Sequence, residues 1–144
     1  MIAFDPAGLW QPFSVFSMGV VQGAGQVVYL KGQVALDTDG RIVGKGDMRA
    51  QTRKTLENIQ VTLSSIGGTM ADVICLTQYT TDFDAFLATR DIRRQFFAPP
   101  YPVSTTVQVV RLYDAQLMVE ITAVAEVPRE RFRLPCAPPA AAGV

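Results

Sequence analysis

From Val103 to Ala125 the chain alternates apolar and polar positions with a period of two. Val103, Thr105, Val107 and Val109 fall on one face of a first run. Leu117, Val119, Ile121, Ala123 and Ala125 fall on one face of a second, after the polar turn Tyr113–Gln116. Alternation of this length predicts two strands with one face in a core. Asp72–Thr80 is apolar on both faces, the pattern of a central strand. Val15–Val21 and Gln26–Val34 predict two more strands, with Gly23-Ala24-Gly25 read as a hairpin turn between them. Elsewhere the period lengthens. Leu56, Ile59, Leu63 and Ile66 form one stripe of a helix over about Met48–Ile66, with Asp47 as N-cap and Gly67-Gly68 as its end. A second helix begins at Asp82 or Asp84 and runs to about Phe97, stopped by Pro99-Pro100. Residues 1–15 read as an N-terminal arm carrying Trp10, Pro12 and Phe13, and residues 128–144 as a Pro/Ala-rich tail, flexible or docked on a neighbour.

The predicted order is β-β-α-β-α-β-β. Two βαβ crossovers plus hairpin strands imply an α+β sandwich, a mixed sheet with both helices on one face. Residues 1–127 then form a single domain. The other sheet face is left uncovered, and the simplest cover in so small a chain is another copy of itself.

Composition narrows the function classes. Hydrophobic residues make up 49% and charged residues 18% of the 144, as in a somewhat apolar globular protein with room for an oligomer interface. Lysine plus arginine and aspartate plus glutamate are equal at 13 each. No basic run interleaves with aromatics, so nothing suggests the phosphate-neutralising surface of a nucleic-acid binder. The cluster Arg90–Arg94 reads as a solvated helix face. There is no histidine, which removes the commonest general base and zinc ligand. Cys75 lies in an apolar run and Cys136 in the tail, so a disulfide framework is not expected and a reducing cytoplasm fits. No signal peptide and no membrane-spanning apolar run is visible. Gly23-Ala24-Gly25 lacks the third glycine and the following helix of a dinucleotide fingerprint.

The candidate chemistry centres on Glu120, on the strand face opposite the apolar row, beside Met118 and Thr122. A carboxylate in mid-strand must be paired, hydrogen-bonded or protonated. A cation from Lys31, Arg90 or Arg111, or else a bound water, is expected within its reach. Two readings stand: a carboxylate kept for ligand chemistry, or a structural acid paired with a cation at a subunit interface.

The same stretch resembles the last two strands of the RidA family, also called YjgF, whose pattern is roughly P-A-R-S/T, R-L and E-I-x-A-I/V-A. Here PVST at 102–105, Arg111-Leu112 and EITAVA at 120–125 match in order. Gly32-Gln33 resembles the family's S-G-Q, with Lys31 in place of serine. Gln51 and Leu56-Glu57-Asn58 resemble its Q-x-x-x-x-L-x-N helix. Ser65-Ile66-Gly67 to Val73, Asp82 to Phe86, and Phe96-Phe97 resemble further family segments. The resemblance spans roughly residues 16–127.

It implies a RidA-like, chorismate-mutase-like fold assembled as a homotrimer with small-molecule sites in intersubunit clefts. It also implies cofactor- and metal-independent hydrolysis of enamines and imines such as 2-aminoacrylate. An arginine fork holds the substrate carboxylate, a glutamate positions water, and a backbone carbonyl near the S-G-Q glycine and an aromatic complete the pocket. The glutamate corresponds to Glu120, the candidate catalytic residue. The arginine falls on Ser104, so turnover of 2-aminoacrylate should be weak or absent and the substrate non-standard. Ser104, Thr106, Gly32, Lys31, Phe16 and Arg90 are the candidate substrate-binding residues, and Lys31 or Arg90 could return a cation to the cleft. The rival reading is a non-catalytic ligand-binding or interaction trimer. A ribonuclease reading, also attached to relatives, is opposed by the neutral charge and the missing histidine.

Overall fold

The structure, a computed structural model, describes residues 1–135. Its strands are β1 (Ile2–Phe4), β2 (Gly19–Val21), β3 (Gln26–Tyr29), β4 (Val73–Thr80), β5 (Val103–Gln108) and β6 (Val119–Val127). The helices are α1 (Met48–Ser64), α2 (Phe83–Leu87) and α3 (Arg90–Phe96), with a 3-10 turn at Met70–Asp72 leading into β4. The main sheet has the order β3-β6-β4-β5. Strand β6 runs antiparallel to both neighbours, and β5 runs parallel to β4. Helix α1 therefore carries the chain from β3 past β6 to β4, and α2–α3 return it from β4 to the adjacent parallel β5.

The alternation of β6 decides which side is core. Val119, Ile121, Ala123 and Ala125 are buried with Leu76 of β4 against Leu56, Ile59 and Leu63 of α1, and against Phe86 and Phe97. Burying a side chain of that size contributes about 1.5–3 kcal/mol each. Both crossover segments thus pack on one face, as expected. The helix start is also as expected: the Asp47 carboxylate accepts from Ala50 N at 3.0 Å. Polar residues of α1 then fix the segments that flank the sheet. Buried Gln51 donates to the carbonyls of Gly44 (3.2 Å) and Gln116 (2.8 Å) and accepts from Met118 N (2.8 Å). Asn58 donates to the carbonyls of Val34 and Leu36, both at 3.0 Å. These bonds hold the stretch after β3 and the entry to β6, the two places that carry Gly32 and Glu120.

The N-terminal arm carries a short strand, since β1 within it pairs antiparallel with β2. Three expectations need correction. Gly23-Ala24-Gly25 is not a hairpin turn: β2 pairs with β1 and β3 with β6, while the amides of Gly23 and Gly25 both donate to the Glu126 carboxylate at 2.8 Å. The second helix is broken in two at Ala88-Thr89, where the buried Thr89 hydroxyl donates to Phe86 O at 2.6 Å and competes with the helix ladder. The start of the tail docks on its own chain. Arg129 Nε donates to Ala24 O at 2.7 Å, and Arg131 binds the Asp72 carboxylate at 2.6 and 2.9 Å. Gly67, at φ 81°, lets that segment pass, since a Cβ there would lie 2.0 Å from Arg131 O. Residues 136–144, with Cys136, lie outside the described residues.

On the sheet face away from the helices, Cys75, Thr77, Tyr79, Thr122 and Val124 are only half-buried, and Tyr29 is 81% exposed. Among the described residues no helix is long and apolar enough to cross a membrane.

Candidate functional site

Glu120 lies opposite Tyr79 on the open face of the sheet. Beside it, Gln33 exchanges backbone hydrogen bonds with Ile121 at 2.8 and 3.0 Å, which fixes Gly32 next to the carboxylate. A Cβ built on Gly32 would stand 2.6 Å from Glu120 Oε1, so only glycine admits this approach. Glu120 is half-buried, yet among the described residues nothing donates to its carboxylate and no cation pairs with it. Among the described residues of one chain the expected cation does not pair with it. Lys31 Nζ instead donates to Gly32 O at 3.4 Å, and the Arg111 guanidinium donates to Leu112 O and Tyr113 O at 3.1 and 3.2 Å. Lys31 and Gly32 border a groove of about 800 Å³ shared with Asn58, Val61 and Tyr113.

The remaining candidates gather elsewhere. Ser104 and Thr106 of β5 pair with Leu76 and Gln78 of β4, so they point to the helix side. With Phe16 and Arg90 they border a cavity of about 420 Å³ between β5, α2, α3 and the N-terminal arm. Thr106 Oγ1 accepts from Gln78 Nε2 at 2.8 Å. Along its border, Trp10, Phe13 and Phe16 form a cluster of tilted and edge-to-face rings with centroids 5.5–6.0 Å apart. One chain therefore holds two groups, Glu120–Gly32–Lys31 and Ser104–Thr106–Phe16–Arg90, on opposite faces of its sheet.

The cavity also contains a residue that the sequence reading left on a solvated face. Arg93 is only 8% exposed, lies over the Phe86 ring at 4.8 Å from its centroid, and has no partner for its Nε among the described residues. Burial, with the charge of Arg90 secondary, pushes its pKa below the ordinary arginine value. A signal for it exists in the spacing: Thr89, Arg93 and Phe97 recur every four residues as a buried stripe. Among the described residues no cluster of three His, Cys, Asp or Glu side chains is arranged to hold a metal ion.

The comparisons with known proteins agree with this frame. The profile of the family described as endoribonuclease L-PSP matches residues 10–127. The structure of YyfB from Yersinia pestis, a Rid family protein described as of unknown function, superposes with a TM-score of 0.78 at 29% identity, covering 88% of this chain and 98% of that one. The chain belongs to the RidA/YjgF family. A RutC family protein of Pyrococcus horikoshii is 31% identical over 115 residues, 80% of this chain and 89% of its own length. RidA from the Antarctic bacterium Psychrobacter sp. superposes with a TM-score of 0.66 at 26% identity, covering 85% of this chain and 94% of its own. As a RidA/YjgF protein the chain has the family's α+β frame.

Proposed function

We propose that this chain is a cofactor-independent hydrolase of enamines or imines, acting on a substrate other than 2-aminoacrylate in clefts between copies of itself. The observation that carries this reading is the Glu120 carboxylate, held against Gly32 on the open sheet face and without a pairing cation among the described residues. A half-buried acid without a partner costs stability. A role in ligand chemistry is a reason to keep it. In the proposed reaction, Glu120 takes a proton from a water that attacks the imine carbon. Attack on the protonated imine gives a neutral carbinolamine, Glu120 returns its proton to the nitrogen, and as the C–N bond breaks and ammonia leaves, the hydroxyl gives its proton to Glu120 and a carbonyl remains. General-base assistance of this kind contributes about 10²–10⁴-fold.

Glu120→Gln keeps the shape of the side chain and removes its basicity. Turnover of imines generated by an amino-acid oxidase should fall by about 10²–10⁴-fold in kcat/KM, with the circular dichroism spectrum unchanged. Full activity in the variant would end the role of Glu120 as the base, and ligand binding without turnover of any imine by the wild type would end the enzyme reading and favour the interaction trimer. On 2-aminoacrylate the wild type should be slow. Two charge-assisted hydrogen bonds lost at Ser104 are worth roughly 1.5–3 kcal/mol each, or about two to four powers of ten together. The nuclease activity in the family's description finds no support in a chain with zero net charge and no histidine.

A further inference from the structure

We infer that Arg93 is the anion receptor of the cavity under the N-terminal arm, and that this cavity selects carboxylates bearing an aromatic or bulky apolar group. The inference rests on the enzyme reading above and names the substrate class of that same site. Four observations carry it.

The first is an unmet need. A guanidinium buried to 8% exposure, with no carboxylate paired to it and an orphan Nε among the described residues, is costly unless a ligand completes it. Among the described residues the compensating feature is the Phe86 ring, 4.8 Å from the guanidinium carbon, and a bidentate anion drawn to the fork would supply the hydrogen bonds that the ring cannot. The second is the sign of the field. The residues bordering the cavity include two guanidiniums, Arg90 and Arg93, and no acid, and a cavity of one sign attracts the opposite charge. The third is hydroxyl chemistry: Ser104 and Thr106 stand on the floor and can donate to a second anion oxygen or to a nitrogen. The fourth is shape. About 420 Å³ is within the range of pockets that hold drug-sized ligands, and Trp10, Phe13 and Phe16 border it with a cluster of tilted and edge-to-face rings. A two- or three-carbon acid would leave those rings idle. An acid with an aromatic or branched substituent would place its charge at Arg93 and its apolar group under the arm. The guanidinium absent from position 104 is thus supplied from α3 instead of β5, for a larger ligand.

Trp10 is the single tryptophan of the chain and borders the cavity, so its fluorescence reports occupancy. The probes are 3-phenylpropanoate, its neutral isostere 3-phenylpropanamide, and propanoate. The acid should shift Trp10 emission and bind at least about tenfold more tightly than either the amide or propanoate, the difference expected for a lost charged hydrogen bond or a lost buried ring. Arg93→Met keeps the apolar stem on Phe86 and should erase the preference for acid over amide. Arg93→Lys should retain the preference at weaker affinity, because the charge persists without the fork. Arg90→Met removes the second charge of the cavity and should weaken the preference less than Arg93→Met does. Equal binding of acid and amide by the wild type, or a preference that survives Arg93→Met or falls further in Arg90→Met than in Arg93→Met, would overturn the assignment. The wild-type comparison stands even if Arg93→Met does not fold. Selective binding through Arg93 with no imine hydrolysis would sink the enzyme reading and leave the subsite. Hydrolysis with no acid preference would do the reverse.

Discussion

Glycine at position 32 is the reason the Glu120 carboxylate can lie against the chain. A methyl group there would come within 2.6 Å of Oε1. The atom it meets is the end of a flexible side chain, so the fold can yield by swinging the carboxylate away. Gly32→Ala should therefore leave stability within about 1 kcal/mol of wild type, the ordinary range for a substitution that opens no cavity. A carboxylate displaced by about 1 Å should lose on the order of 10²-fold in turnover. Thermal melting and kcat/KM on the same preparation test this, and a large loss of melting temperature would assign Gly32 to folding instead. The face on which Glu120 lies was legible from the alternation of Leu117–Ala125, since a period of two leaves no freedom. The surroundings of its carboxylate were not. Lys31 and Arg111 have long stems whose direction spacing does not encode, and both end on backbone carbonyls. Arg93 was hidden between Arg90 and Arg94, and what separates it from them is its burial on the Thr89–Phe97 stripe and its packing on Phe86.

Long, strongly periodic segments were readable, and short ones that depend on a partner were not. Helix α1 and strands β4 and β6 each bury a row that repeats at its own period. Strand β1 has three residues, and its existence depends on β2 coming alongside. The Gly23–Gly25 loop was misread for a similar reason. Two glycines suggest a tight turn, whereas here their amides converge on Glu126, 101 and 103 residues away. That buried carboxylate accepts both amides at 2.8 Å and has the N-terminal ammonium 3.9 Å away. The Gly23 and Gly25 amides hold its pKa below the ordinary 4.5, with the N-terminal charge adding to them. A depressed folded-state pKa means stability that is fully present above the unfolded value, near 4.5, and lost as pH falls through the folded one. Glu126→Gln should cost about 1.5–3 kcal/mol at pH 7, the worth of hydrogen bonds to a charged group. By urea denaturation the gap between wild type and variant should narrow as the pH is lowered below 4.5. A gap that stays constant would mean that shape, not charge, ties β6 to this loop.

The two groups of site residues lie on opposite faces of one sheet, so one ligand cannot touch Glu120 and Arg93 of the same chain. A cyclic assembly resolves this if the Glu120 face of one copy approaches the β5–α3 side of the next. Such a head-to-tail contact closes into a ring. The open face has what an interface needs: half-buried Cys75, Tyr79 and Val124, with Tyr29 almost bare. Beyond β5, Val110 is fully exposed. Light scattering should give about three times the chain mass of 15.7 kDa. Sharing of the site makes a sharper demand. Glu120→Gln removes the base, and Ser104→Phe fills the cavity, so each homotrimer alone should be inactive. In trimers re-formed from an equal mixture, a site is intact whenever an unaltered Glu120 from one copy meets an unaltered Ser104 from its neighbour. Random assortment makes that about one site in four. Activity recovered to about a quarter of wild type would place the two groups in one shared site. A monomer in solution, or a mixed trimer as inactive as its parents, would show that Glu120 and the Ser104 cavity work apart.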